Sequence, residues 1–119
     1  MSTELLKRFE ELHGAVKPGE RALFERSQKG LYAHLGEELP DGETTRNVIR
    51  ASFIRWLLLI YSARASFGEV LRLRGAFIEG KLDLDGLCVT IPIALIKCRF
   101  TQPISFRGTE FKHSVGFSE

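Results

Sequence analysis

The side chains best able to do chemistry in this chain are two cysteines, three histidines, an aspartate pair and a group of arginines. Asp83 and Asp85 stand at i and i+2, so on a strand they share one face. Paired carboxylates bind metals or exchange protons when further ligands converge on them. None is near in sequence, so the expectation is a solvated outer face with local ion pairs. Cys88 and Cys98 lie in an apolar stretch that lacks a Cys-x-x-Cys, a second cysteine pair or a neighbouring histidine cluster. That spacing completes neither a zinc set nor a redox pair. Two buried thiols in a reducing setting are expected instead, with Cys88 in the less buried column of the repeat described below. His13, His34 and His113 fall on different segments, and none has a nucleophile at a recognisable spacing.

Arg46, Arg50 and Arg55 accompany Trp56, a set that could contact phosphate. Arg46 and Arg50, four apart, would share one face if this segment were helical. The expectation is that their stems cover the flank of a buried helix. Arg72 and Arg74 alternate with Leu71 and Leu73 and should point outward from a strand. No residue is assigned a catalytic, cofactor-binding or metal-ligating role by type and spacing, and no cofactor is implied.

The elements that position these residues fall into two halves. Ser2 or Thr3 can cap a first helix running to about Val16, with Leu5, Leu6, Phe9 and Leu12 as its apolar stripe. A second helix should begin near Pro18 or Gly19 and bury Ala22, Leu23, Leu31, Tyr32 and Leu35, with Gly30 as a potential break. After the Leu39-Pro40-Asp41-Gly42 turn, Thr44 or Thr45 can cap a third helix through Val48, Ile49, Phe53, Ile54, Trp56 and Leu57. Residues 1–66 are therefore expected to be helical.

From Leu71 the period changes. Leu71, Leu82, Ile93, Ile104 and Val115 recur every 11 residues, as do Leu73, Leu84, Leu95, Phe106 and Phe117. Ile78, Val89, Phe100 and Phe111 make a third column, and Gly75, Gly86 and Gly108 a fourth that Lys97 interrupts. Fixed glycines, with Pro92 and Pro103 between the columns, exclude a helical coiled coil of the same period. The second and third columns together advance in alternating steps of five and six. Two such units then close one four-sided coil, with glycines at corners that need positive φ. The expected fold class is α+β: N-terminal helices (1–66) capping a right-handed quadrilateral β-helix of about two coils (67–119). Leu73, Leu95 and Phe117 should stack inside it at about 4.8 Å per rung, and Asp85 should lie beside Arg107 outside. A fifth copy begins at Val115 and stops at Glu119, which suggests a fragment of a longer protein.

Arg50-Ala51-Ser52-Phe53-Ile54-Arg55-Trp56-Leu57-Leu58-Leu59, Leu71-Arg72-Leu73-Arg74-Gly75-Ala76 and Ile78-Glu79-Gly80-Lys81-Leu82-Asp83-Leu84 follow in order, with Cys98-Arg99-Phe100 and Pro103-Ile104 later. This order, over roughly residues 45–119, resembles the N-terminal region of long bacterial proteins related to pentapeptide-repeat proteins, some labelled membrane-associated oxidoreductase. The resemblance implies a β-helical solenoid and peripheral membrane association through parts outside this chain. Large residues at 71, 82, 93 and 104, where Ala or Cys is usual, depart from the pentapeptide pattern and imply a wider coil.

Composition narrows the function classes. Hydrophobic residues make up 44% and charged residues 27%, which fits a folded domain and excludes disorder. Seventeen basic residues against fifteen acidic ones give no electrostatic footprint for nucleic acid. The same balance speaks against mimicry of duplex DNA, a property of some pentapeptide-repeat proteins. Trp56–Tyr61 is the longest apolar run, far short of the roughly 20 residues that span a bilayer. The N-terminus lacks a signal peptide's basic and apolar regions, so a cytoplasmic location is expected. The leading expectation is a non-catalytic scaffold that binds a protein partner of unspecified identity. The resemblance supplies the alternative, a membrane-associated oxidoreductase whose cofactor site lies beyond Glu119.

Overall fold

Apolar spacing and glycine placement account for most of the helix boundaries. A computed structural model describes residues 2–63 and 68–118, the side chains of Ser2 and Thr3 excepted. The described residues form three helices and three small parallel sheets. Helix α1 spans Ser2–His13 and ends three residues earlier than expected, because Gly14 turns out of it at φ +87°. Leu6 and Phe9 are buried, but Leu12 is 77% exposed. Only the first part of the stripe therefore meets the core. The expected Ser2 or Thr3 cap lies outside the described side chains.

Helix α2 spans Pro18–Gln28, with proline in its first turn. Gly30 (φ +72°) stops it, so Leu31 and Tyr32 emerge about half exposed rather than lying on an apolar helix face. The chain then becomes strand β1, Ala33–His34.

The expected start of the third helix is also corrected. Thr44 and Asn47 exchange bonds in the manner of a capping box, each backbone N–H donating to the other's side-chain oxygen at 2.7 and 3.1 Å. They close a single turn, after which Val48–Arg50 run extended as strand β2. Val48 and Ile49 are β-branched and pair with the edge of another strand, which outweighs the local start signal. Helix α3 begins only at Ala51 and runs to Ser62.

The remaining strands are β3 (Leu71–Arg74), β4 (Phe77–Glu79), β5 (Cys88–Val89), β6 (Ile93–Ile96), β7 (Arg99–Phe100), β8 (Glu110–Phe111) and β9 (Val115–Phe117). They pair in parallel at one constant separation. Leu71 faces Ile93 and Ile93 faces Val115; Ile78 faces Phe100; Val89 faces Phe111; and Asp83 bridges to Ser105. Every one of these pairs joins positions two repeat units apart, and Leu73, Leu95 and Phe117 fall in one stack. The sheets run β1-β3-β6-β9, β2-β4-β7 and β5-β8.

The first half is thus not wholly helical. It lays β1 along β3 and β2 along β4, satisfying edges that would otherwise be open. One apolar core runs from Leu6 and Phe9 on α1 through α2 and α3 to Leu95 and Cys98. The expected boundary at residues 66 and 67 lies outside the described residues.

The glycine column is a column of backbone conformation. Gly75, Gly86 and Gly108 have φ of +76°, +73° and +66°, and Lys97, which breaks the sequence pattern, keeps the conformation at +53°. Gly75 carries a second constraint, because a Cβ there would collide with the backbone of Gly36. Burial along the columns is graded: Leu73, Ile78, Leu84 and Leu95 are fully enclosed, whereas Phe106 is 53% exposed.

Candidate functional site

The arginines expected on one helical flank are dispersed, because Arg46 sits in the turn, Arg50 ends β2 and Arg55 lies on α3. Arg50 is committed to the fold. Its Nη2 and Nε bond the Glu20 carboxylate at 2.8 and 2.9 Å, and its backbone N–H adds a third bond to the same group at 2.9 Å. Nη1 and Nη2 also donate to the carbonyls of His13 and Ala15. Glu20 is fully buried and takes the Lys17 backbone N–H as well, at 2.9 Å. The Glu20 hydrogen bond raises the pKa of Arg50 above its ordinary value. This ion pair ties the α1–α2 connection, the start of α2 and the β2–α3 junction together. Arg55 donates Nη1 to the Asp83 carbonyl at 2.7 Å, and Trp56 packs among Phe9, Phe24 and Phe53.

The Asp83 and Asp85 carboxylates are bound to backbone and hydroxyl groups. Asp83 Oδ1 accepts the Asp85 N–H at 3.0 Å. Asp85 Oδ1 accepts the Ser105 hydroxyl at 2.6 Å and the Arg107 N–H at 2.7 Å. Asp85 therefore does lie beside Arg107, through the main chain. The Ser105 hydroxyl, followed by the Arg107 amide, holds the Asp85 carboxyl below its usual value.

The expectation of two buried thiols is half corrected. Cys98 is buried, and burial pushes its thiol up to about 11, so it stays protonated. Cys88 is exposed, with Sγ 3.5 Å from the Glu110 carboxylate of the strand paired with it. His13 stacks on Phe9 at 4.5 Å, and His34 lies 3.5 Å from Glu37. Among the described residues no three His, Cys, Asp or Glu side chains are grouped to hold a metal ion. Among them, too, no helix is long and apolar enough to cross a membrane.

Two surfaces among the described residues lie apart from these internal contacts. The first is the outer face of the four-stranded sheet. There the register places His34 beside Arg74 and Arg74 beside Ile96, with Arg72 next to Ala94. Tyr32, His34, Arg74 and Ile96 line a hollow of about 390 Å³. The alternation in Leu71–Arg74 signalled the two arginines. Tyr32 was expected on the apolar side of the second helix, and His34 had no signal because β1 is only two residues long.

The second surface is the end formed by β7, β8 and β9, each the last strand of its sheet. Phe106 and Val115 are exposed there, and Phe106 meets Phe111 edge-on at 6.4 Å. No protein-family model, curated protein or solved structure matches this chain.

Proposed function

We propose that this chain is a non-catalytic β-helical scaffold, a protein-interaction module forming the N-terminal part of a longer bacterial protein. In this reading residues 71–118 wind as a right-handed, four-sided β-helix of about two coils, with two repeat units per turn. The carrying observation is the constant separation of two repeat units across three sheets and the Asp83–Ser105 bridge. A chain that returns to the same sheets at a fixed interval, always in parallel, advances by one strand spacing per circuit. Right-handedness follows from the general preference of parallel crossovers. The helices and strands β1 and β2 of the first half close one end of the stack.

The scaffold role draws on how the reactive side chains are used. Glu20, Arg50, Asp85 and Cys98 are engaged in internal contacts and do not converge on a common cleft. A solenoid of this kind offers long, regular outer faces to a partner. The test is an absorption spectrum of the native protein alongside its far-UV circular dichroism. The scaffold reading expects a mixed helix and strand signal, from the three helices and the short strands, with no bound chromophore. A stoichiometric flavin, nicotinamide or haem would overturn it in favour of redox chemistry.

A further inference from the structure

Resting on the scaffold reading, we propose that the outer face of the β1-β3-β6-β9 sheet binds an extended acidic segment of a protein partner, with Arg72 and Arg74 pairing to its carboxylates. The two arginines leave strand β3 on the same side, about 7 Å apart. That is also the repeat of alternate side chains along an extended peptide. A single small anion is gripped by donors converging on a point, whereas charges spaced along a strand suit a linear acidic partner.

Among the described residues the arginines are held in place by neutral groups. Arg74 Nε and Nη2 donate to the carbonyl of Glu37 at 3.2 and 3.0 Å, and Arg72 lies 5.7 Å from the centre of the Tyr32 ring. A carbonyl and an aromatic ring orient a guanidinium but leave its full positive charge. Arg50 shows the opposite treatment, its charge answered by the buried Glu20 carboxylate. Ile96 and the Tyr32 ring give the hollow an apolar lining for the methylene stem of a glutamate. The Glu37 side chain, 78% exposed and 3.5 Å from His34, competes for the same positive face from within the chain. The near-balanced charge of the whole chain favours a short acidic peptide over a nucleic acid, which needs a broad basic surface.

Fluorescence anisotropy of a labelled octaglutamate peptide tests this on the full chain, with an octathymidylate strand as the competing polyanion. Saturable binding of octaglutamate should weaken as salt rises from about 50 to about 200 mM. Arg72→Gln and Arg74→Gln should each weaken it by about threefold and the double variant by about tenfold. Glu37→Gln should tighten it, and Arg107→Gln, on a different face, should leave it unchanged. Absence of saturable binding, an Arg107→Gln effect as large as that of Arg74→Gln, or equal affinity for octathymidylate would overturn the proposal. Circular dichroism and absorption spectra of the same samples separate the two readings. A folded, chromophore-free protein with the mixed helix and strand signal that ignores octaglutamate refutes the acidic-partner site alone, whereas a bound chromophore refutes the scaffold.

Discussion

Replacing Glu20 by alanine should be among the most damaging single changes in this protein. The carboxylate is fully buried and accepts four hydrogen bonds, one from the Lys17 amide and three from Arg50. The Arg50 side chain is only 16% exposed, so water cannot readily take over the missing contacts. Deleting one member of such a pair strands the other charge, at about 3–5 kcal/mol. Against a total stability of roughly 5–15 kcal/mol for a domain this size, that is a large share.

Glu20→Gln keeps the shape and one accepting oxygen, and should cost about half as much. Glu20→Leu combined with Arg50→Met removes both charges and should recover part of the loss. Recovery stays incomplete because the Lys17 and Arg50 amides and the His13 and Ala15 carbonyls lose their partners, at about 1 kcal/mol each. Urea unfolding followed by far-UV circular dichroism, run as a double-mutant cycle, measures all of this. If Glu20→Ala costs less than about 1 kcal/mol, the pair behaves as an ordinary surface salt bridge. The reasoning from burial would then be wrong.

Lys97 holds a positive φ that its repeat equivalents meet with glycine, so Lys97→Gly should stabilise by about 0.5–1 kcal/mol in the same assay; a destabilised variant would show that the lysine side chain matters more than its backbone. In the native protein one thiol should react promptly with an alkylating reagent, Cys88, and the second, Cys98, only on unfolding; equal rates would contradict its burial. Asp85 has a lowered pKa in the fold, so its contribution is complete above the usual carboxylate value near 3.8 and fades as pH falls through the lower folded value. The stability gap between wild type and Asp85→Asn should therefore close in acid, and a gap that widens there would reverse the assigned sign.

The repeat was legible because large apolar residues at fixed intervals have few alternatives to an enclosed stack. Leu73, Leu95 and Phe117 align from the sequence alone, and Lys97 stands out as a break in the glycine column. That Lys97 keeps the conformation was not readable, since sequence records the residue and not its φ. Val48 and Ile49 read as helical because Ile49, Phe53, Trp56 and Leu57 keep the helical period after Thr44 or Thr45, and their extended form depends on strand β4, which lies beyond α3 in the chain. Strand β1 is invisible in sequence for a similar reason, as two residues show no period and Ala33 and His34 are extended only because Leu73 and Arg74 lie alongside. The candidate binding face was half readable: alternation aimed Arg72 and Arg74 outward, but only the fold brings Tyr32 and His34 to them. Phe106 shows the limit of column reasoning, because it shares a column with the enclosed Leu73, Leu84 and Leu95 and yet is 53% exposed.

The proposed coil makes residues two repeat units apart neighbours on successive turns, and nuclear Overhauser contacts between backbone protons test it most directly. The account predicts cross-strand contacts linking Leu73 to Leu95, Leu95 to Phe117, Ile78 to Phe100 and Val89 to Phe111, all in parallel register. Contacts between residues a single repeat unit apart, an antiparallel pattern, or the absence of those pairs from a well-folded spectrum would contradict it.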